Sequence, residues 1–300
     1  MNMKFETFHG GWPALLTPTT AQGDVGLAAL RAVTEYLIEK DVGGLYVGGS
    51  TGEGVFMSIP ERREVTEAVV DQVSGRVPVI VHVGAVATRD AVVLAKHAGA
   101  TGANGVASIL PPFRRGLEAV YTHYAAIANA VPDLPFFPYL FGGEIDALSL
   151  MRELLERVPN VAGAKYTGPD MYELQALVDL RDGGWTIFSG MDQQCVFAAM
   201  FGAPANIGTT LNLMSGVYRE LHSSYEAGDL ARARDLQVAA NRVTRVLQAF
   251  GMFGALFESM RLLGFDCGEP RLPHLPLPED RRNALKAALE QADFFELADL

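Results

Sequence analysis

A short apolar segment, followed by glycine or hydroxyl residues and then by an amphipathic stretch, recurs eight times in residues 1–225. The apolar segments are nearly continuous and rich in β-branched residues, which is typical of strands that are buried on both faces of a parallel sheet. The predicted strands are residues 12–17, 44–47, 77–83, 105–110, 134–139, 161–166, 185–189 and 205–209.

The amphipathic stretches between these strands have the spacing of apolar residues that surface helices show. Ser58, Pro60 and Glu61 form a start signal for one of them, and Gly99 is a stop signal for another. Because strands and helices alternate eight times, the pattern favours an α/β fold with a closed (β/α)8 barrel, and a doubly wound open sheet is the alternative. The predicted helices are residues 25–40, 60–73, 88–99, 117–130, 146–158, 170–180, 192–201 and 213–227.

Residues 226–300 are predicted to form a helical extension rather than a ninth strand and helix. Three further helices are expected, at residues 229–250, 253–263 and 278–295. The proline-rich segment 270–278 is too short for an interdomain linker, so we expect the extension to pack on the barrel of residues 1–225.

Composition and charge narrow the possible partners. The 300 residues are 49% hydrophobic and 20% charged, which suits a large core and excludes a disordered chain. The net charge of −11 disfavours nucleic acid and anionic membrane surfaces as partners, so we expect a small molecule. The sequence shows no secretory signal and no long apolar run, and Cys195 and Cys267 have no metal-ligand spacing. We therefore expect a cytoplasmic protein without a membrane span.

The first candidate for chemistry is the turn GGSTGEG, residues 48–54, at the end of the second predicted strand. In a (β/α)8 barrel, functional residues lie at the carboxyl ends of the strands. The glycines expose consecutive N–H groups, and Ser50 and Thr51 add hydroxyl groups, so the turn could bind a small carboxylate. The alternative is a glycine-rich turn with ordinary hydroxyl capping.

Lys165 is the second candidate, because its neighbours in VAGAKYTG are apolar or small. An ammonium group in an interior strand is costly unless it is paired or loses its proton, and the neutral amine can form a Schiff base with a carbonyl compound. The alternative is a lysine that forms a salt bridge or extends to the rim of the barrel. The other lysines have surface interpretations: Lys4, Lys40, Lys96 and Lys286.

Tyr139 ends the fifth predicted strand, where its hydroxyl group could transfer protons to and from a Schiff-base intermediate. Packing in the core is the alternative for this side chain. His82, near the end of the third strand, is a minor candidate for a metal ligand, although no paired histidine spacing accompanies it.

The seventh and eighth strands end in FSGMDQQ and NIGTT, at the same face of the predicted barrel. Their residues could bind the hydroxyl groups of a substrate, although Asp192 by itself is more often a helix N-cap. The candidates on these strands are Gly190, Asp192, Gln193, Ile207, Thr209 and Thr210.

In four features together, the chain resembles the N-acetylneuraminate lyase and dihydrodipicolinate synthase family of pyruvate-dependent class I aldolases. These features are GGSTGEG, Tyr139, GAKYTG, and SGMD followed by NIGTT. The resemblance covers nearly the whole chain. It implies a (β/α)8 barrel with added carboxyl-terminal helices, assembled as a homotetramer. It also implies that Lys165 forms a Schiff base with a 2-keto acid, that Ser50 and Thr51 hold the carboxylate, and that Tyr139 relays protons, without a metal or an organic cofactor.

Departures within the family favour the N-acetylneuraminate lyase subgroup. Ser50 and Thr51 are the pair typical of those lyases, and Thr167 and Asp192 resemble their sugar-contacting set. The synthases have an arginine after the strand-five tyrosine, whereas Leu140 follows Tyr139 here. Phe113 also stands near the position of the tyrosine that the synthases extend to a neighbouring subunit.

Two substitutions change the expected substrate. Gln193 stands where the lyases have a glutamate, and Phe136, Phe137 and Phe141 make the mouth more apolar. The leading hypothesis is a Schiff-base aldolase or lyase that joins or separates pyruvate and an aldehyde, acting on a 2-keto sugar acid. The alternatives are a dihydrodipicolinate synthase-type condensation, a keto-deoxy sugar acid dehydratase, another 2-keto acid such as an aromatic aldol, and a non-catalytic protein that binds pyruvate-like ligands.

Overall fold

The computed structural model describes residues 8–113, 116–181 and 184–300. Eight parallel strands follow one another in chain order around a single sheet, and β1 pairs with β8. A parallel bridge between Ala14 and Tyr46 joins the β1 and β2 edges. The predicted (β/α)8 barrel is thereby confirmed. The strands are β1 (Gly10–Pro13), β2 (Leu45–Val47), β3 (Val79–His82), β4 (Gly105–Ile109), β5 (Phe136–Phe141), β6 (Gly163–Thr167), β7 (Thr186–Ser189) and β8 (Ala205–Gly208).

A helix follows each strand, and four more helices follow the barrel. In the extension, α9 packs on α8, and α12 also contacts α8. The barrel helices are α1 (Leu27–Glu39), α2 (Ile59–Val73), α3 (Thr88–Thr101), α4 (Gly116–Asn129), α5 (Ala147–Arg157), α6 (Met171–Val178), α7 (Cys195–Met200) and α8 (Leu211–Glu226). The extension consists of α9 (Leu230–Phe250), α10 (Met252–Leu262), α11 (Arg282–Gln291) and α12 (Phe294–Asp299).

Several boundaries differ from the sequence prediction, and two of these differences have identifiable reasons. The first strand begins at Gly10 and not at residue 12, and its ladder ends early because the Leu16 N–H donates to the side chain of Asn212. The last predicted helix is divided into α11 and α12, because Asp293 between them has left-handed backbone geometry with φ 60°. A helix cannot continue through that conformation.

Strand alternation decides which side chains enter the barrel. In β6, Ala164 and Tyr166 face the surrounding helices, so Lys165 between them faces the interior. The parallel register places Tyr139 of β5 directly beside Lys165. The apolar interior below them consists of ten buried residues: Trp12, Ala14, Tyr46, Ile80, Ala107, Phe137, Ala162, Phe188, Ala205 and Ile207.

Candidate active site

Lys165 is buried at the carboxyl end of the barrel, with only 5% of its surface exposed. Its Nζ lies 4.2 Å from the centroid of the Tyr139 ring and 4.8 Å from that of Tyr46. Within the described residues Lys165 forms no salt bridge, and its burial also rules out extension to solvent. The two non-catalytic interpretations of this lysine are therefore not supported by its surroundings.

Tyr139 is held beside the amine by both its backbone and its ring. The carbonyl oxygen accepts a hydrogen bond of 3.2 Å from the Tyr124 hydroxyl group. The ring stacks on Phe141, with centroids 4.9 Å apart and an angle of 23° between the planes. These contacts fix the phenol next to Lys165, where a proton donor or acceptor would be needed.

The turn after β2 brings a hydroxyl pair to the same end of the barrel. The Thr51 and Thr209 hydroxyl oxygens are 2.8 Å apart, so a hydrogen bond links the turn to the end of β8. Thr51 is buried, whereas Ser50 is exposed. Gly54 makes this tight turn possible, because a Cβ atom there would lie 1.9 Å from the Gly48 carbonyl oxygen.

Glu53 anchors that turn to the carboxyl-terminal extension. Its carboxylate is fully buried and accepts hydrogen bonds from the Arg271 backbone N–H, at 3.0 and 2.9 Å, and from His274 Nδ1, at 2.8 Å. Burial raises the pKa of this carboxyl group, and the donors oppose that shift. Glu53 also has a φ of 55°, so the backbone here is strained and must be held by its surroundings.

His82 braces the same turn from the other side. Its Nδ1 lies 3.0 Å from the Gly48 carbonyl oxygen, and its Nε2 accepts a hydrogen bond of 3.0 Å from the Ile109 N–H. Burial, followed by the charge of Arg62, lowers the pKa of the imidazole to about 3, so the ring is neutral. Since both nitrogens are occupied, the minor hypothesis of a metal ligand has no support in this geometry.

Asp192 is bound by Thr210, the second residue after β8, and does not cap its own helix. Its Oδ2 accepts hydrogen bonds of 2.8 Å from both the N–H and the hydroxyl group of Thr210. Desolvation raises the pKa of the buried carboxyl group. Its Oδ1 has no partner among the described residues. Gly208 makes room for it, because a Cβ atom there would lie 1.3 Å from Oδ1.

Thr167 and Gly190 form the wall next to the amine. The Thr167 hydroxyl group is buried without a partner in the described part of the chain. A Cβ atom on Gly190 would lie 1.9 Å from that hydroxyl oxygen and 3.1 Å from Lys165 Cε. Glycine is therefore required for Thr167 to sit beside Lys165.

The remaining two candidates are placed differently. Gln193 is half-buried, and its backbone carbonyl oxygen accepts a hydrogen bond of 3.1 Å from the Asn241 side chain on α9. Ile207 is buried in the apolar interior of the barrel. Ile207 therefore contributes an apolar surface beneath the site and no hydrogen-bonding group.

The sequence analysis missed Tyr46 and Glu53. Tyr46 contacts the amine through its ring, and its own strand position, between two residues that face helices, could have indicated that it points inward. Glu53 belongs to the GGSTGEG turn, but its partners lie more than 200 residues away, so nothing local indicates its role.

The comparisons with known proteins identify the family of the chain. A family model of the dihydrodipicolinate synthetase family matches residues 7–292. The chain belongs to this family. It is 33% identical to the N-acetylneuraminate lyase of Rhizobium meliloti (strain 1021) over 96% of this chain and 95% of that protein.

Two solved structures extend the comparison. The N-acetylneuraminate lyase of Proteus mirabilis has a TM-score of 0.92 and 29% identity, covering 96% of this chain and all of that one. An Escherichia coli K12 prophage protein of the dihydrodipicolinic acid synthase family, solved in complex with pyruvate, has a TM-score of 0.90 and 26% identity over 96% and 99% of the two chains. The predicted class, a Schiff-base-forming pyruvate-dependent aldolase or lyase, is confirmed.

No helix in the described part of the chain is long and apolar enough to cross a membrane. The same ranges contain no group of three side chains arranged to hold a metal ion.

Proposed function

We propose that this protein cleaves a 2-keto sugar acid of the N-acetylneuraminate type into pyruvate and the corresponding amino-sugar aldehyde. The observation that carries the proposal is the buried Lys165 amine, which has no salt bridge within the described residues and lies against two tyrosine rings. The named activity of the relatives supplies the substrate class.

The substrate carboxylate would bind at the turn after β2. Ser50 and Thr51 offer hydroxyl groups, and the glycine-rich backbone offers N–H groups, which together suit an anion. The Thr51–Thr209 hydrogen bond and the Glu53 anchor keep the turn in place before substrate arrives. Binding here would direct the keto carbon toward Lys165.

Schiff-base formation begins when the neutral Lys165 amine attacks the C2 keto carbon. The carbinolamine then takes up a proton on its hydroxyl group and loses water, which leaves a cationic iminium. Because Tyr139 lies against the amine, its hydroxyl group is suited to deliver and recover protons in this step.

Carbon–carbon cleavage follows from the same arrangement. The C4 hydroxyl group gives up its proton, the C3–C4 bond breaks, and the electron pair enters the iminium to form a neutral enamine. Tyr139 would relay that proton as the aldehyde forms. Protonation of the enamine at C3 restores the iminium, and water releases pyruvate and the free amine.

The part of the substrate beyond C4, here called the tail, would lie along the polar ends of β6, β7 and β8. Asp192 Oδ1 and the Thr167 hydroxyl group have no partners in the described protein, so their hydrogen-bonding capacity would be available to substrate hydroxyl groups. The proposed tail contacts are Thr167, Gly190, Asp192, Gln193 and Thr209.

A second substrate, a less polar 2-keto acid, is favoured by one feature of the mouth. Phe141 stacks on Tyr139 and is only partly buried, so it presents an apolar surface at the entrance. A keto-deoxy sugar acid or an aromatic aldol product would be compatible with this surface. Product analysis distinguishes cleavage from dehydration of such a compound.

We further propose a homotetramer. The exposed apolar side chains include two groups: Val86, Val93 and Phe113 in or near α3 and β4, and Phe197, Met200, Phe201 and Val238 in or near α7 and in α9. Helices α3 and α7 lie four positions apart in an eightfold ring, so these surfaces are on opposite sides of the barrel. Two separate self-complementary surfaces are what a tetramer of two-fold symmetry requires.

The cytoplasm is the proposed location. Both cysteines, Cys195 and Cys267, are buried and unpaired. Burial raises the pKa of the Cys195 and Cys267 thiol groups, so neither is set up as a reactive thiolate. Unpaired thiols are usual in a reducing compartment.

Borohydride reduction in the presence of pyruvate tests the central step. We expect a stable mass increase on the peptide that contains Lys165, and no increase in a folded Lys165→Met variant. A panel of 2-keto sugar acids, assayed by pyruvate release, then identifies the substrate. If pyruvate bound without forming an adduct and no panel member were turned over, the protein would be a ligand-binding protein and not an enzyme.

A further inference from the structure

Tyr46 is a second aromatic residue against the reactive amine. It lies in the middle of β2, its side chain enters the barrel, and it is 1% exposed. The Tyr46 and Tyr139 rings are 6.5 Å apart and nearly perpendicular, at 87°. Lys165 Nζ therefore lies over two π faces that approach it from different directions.

A positive charge at Lys165 Nζ would face these rings and not an ion-pair partner. Throughout the described ranges Lys165 has no salt-bridge partner. The Lys165 charge acts to lower the pKa of the Asp192 carboxyl group, but that carboxylate accepts its hydrogen bond from Thr210 and not from Lys165. An aromatic face attracts a cation through its quadrupole, and the attraction is strongest where water is excluded.

We propose that Tyr46 is a catalytic residue whose ring face stabilises the positive charge of the iminium on Lys165 Nζ. This inference rests on the proposed function. The charge appears when the carbinolamine takes up a proton and expels water, disappears when the cleavage electrons form the enamine, and returns when C3 is protonated. A fixed ring at 4.8 Å favours the two charged states over the neutral ones.

Packing, and not the phenol hydroxyl group, holds the ring in this position. The Tyr46 hydroxyl group is buried and has no hydrogen-bond partner among the described residues. One edge of the ring packs close to Gly49, where a Cβ atom would lie 2.5 Å from Tyr46 Cε1. The His82 ring lies 6.1 Å away on another side. Phenylalanine can therefore take the same place.

The test uses the full-length protein with phenylalanine and a fluorinated phenylalanine series at position 46. Fluorine withdraws electrons from the ring face and changes its shape little. The readout is the fraction of Lys165 trapped as the pyruvate adduct by borohydride at limiting pyruvate, together with kcat for cleavage. We expect Tyr46→Phe to trap within about twofold of the unaltered protein, and trapping to fall about ten- to thirtyfold across the series.

Fluorination of Phe137 is the matched control. This ring is equally buried in the barrel but packs on Phe188 and Phe8, away from the amine. We expect no trend in trapping there. A flat series at position 46, or a Tyr46→Phe variant as impaired as Tyr46→Leu, would overturn the role of the ring. Absence of any adduct in the unaltered protein would instead refute the proposed function.

Discussion

Glu53 and His274 are hydrogen-bonded at 2.8 Å although 221 residues separate them in the chain. Glu53 belongs to the turn proposed to bind the substrate carboxylate, and His274 belongs to the extension beyond the barrel. The His274 ring is fixed in turn by stacking on Phe253, with centroids 3.6 Å apart. The extension therefore acts as a support for the carboxylate turn and not as a separate unit.

Replacing Glu53 with glutamine should loosen that turn. The amide retains one acceptor oxygen, but its NH2 group faces the Arg271 N–H or His274 and cannot accept. We expect the pyruvate concentration for half-maximal borohydride trapping to rise about tenfold, since one charged hydrogen bond is worth about 1.5 kcal/mol or more. Glu269→Gln is the control, because Glu269 lies on the same segment and its half-buried carboxylate pairs with Arg261 and Arg282 and not with the turn. An equal effect of both variants would contradict this role.

Tyr139→Phe separates proton transfer from ring packing. The variant keeps the stacking on Phe141 and the ring against Lys165, and it loses only the hydroxyl group. We expect kcat for cleavage to fall about 10²- to 10⁴-fold, which is the range for a general acid–base group. Tyr166→Phe is the control, because that hydroxyl group donates to Glu173 on the outer face of the same sheet. Normal turnover by Tyr139→Phe would remove the proposed proton relay.

Thr167→Val tests the proposed tail site, because the variant should weaken substrate binding without lowering the stability of the fold. The Thr167 hydroxyl group is buried without a partner in the described protein, so its removal should not lower the melting temperature. The KM for the sugar acid should rise about tenfold, whereas pyruvate trapping should stay unchanged. Thr34→Val also removes a buried hydroxyl group with no described partner, far from the site on α1, and should leave KM alone. An unchanged KM in Thr167→Val would place the tail elsewhere.

His82 should make the fold sensitive to acid. Burial lowers the pKa of its imidazole from 6.5 to about 3, so between these values the unfolded chain binds a proton that the folded chain does not. The stabilisation is therefore complete above about pH 6.5 and is lost as the pH falls, by about 1.4 kcal/mol per pH unit.

Urea unfolding of His82→Gln at pH 6, 5 and 4 measures this contribution. Glutamine can still donate to Gly48 and accept from Ile109, but it does not titrate. We expect the free energy of unfolding to fall less steeply in the variant, by about 1.4 kcal/mol per pH unit. If the free energy of unfolding depended on pH equally in the two proteins, the fold would not lower the pKa of His82.

The sequence by itself determined the eight strand–helix repeats, because the spacing of apolar residues along the chain is a local property. It also marked Lys165, since a single lysine in an apolar strand is costly without a function. Only some helix ends could be predicted from local residues: Ser58 begins α2 with a complete capping box, whereas the stop predicted at Gly99 is wrong, because α3 continues to Thr101 and is capped by Gly102.

Only the tertiary structure decided which distant residues meet. The closed barrel brings the Tyr46 and Tyr139 rings to the same amine, and the returning extension brings Arg271 and His274 to Glu53. No local pattern encodes these contacts, because they depend on strand register and on how the extension packs. The shape and charge of the site therefore arise from contacts that form only when the barrel closes.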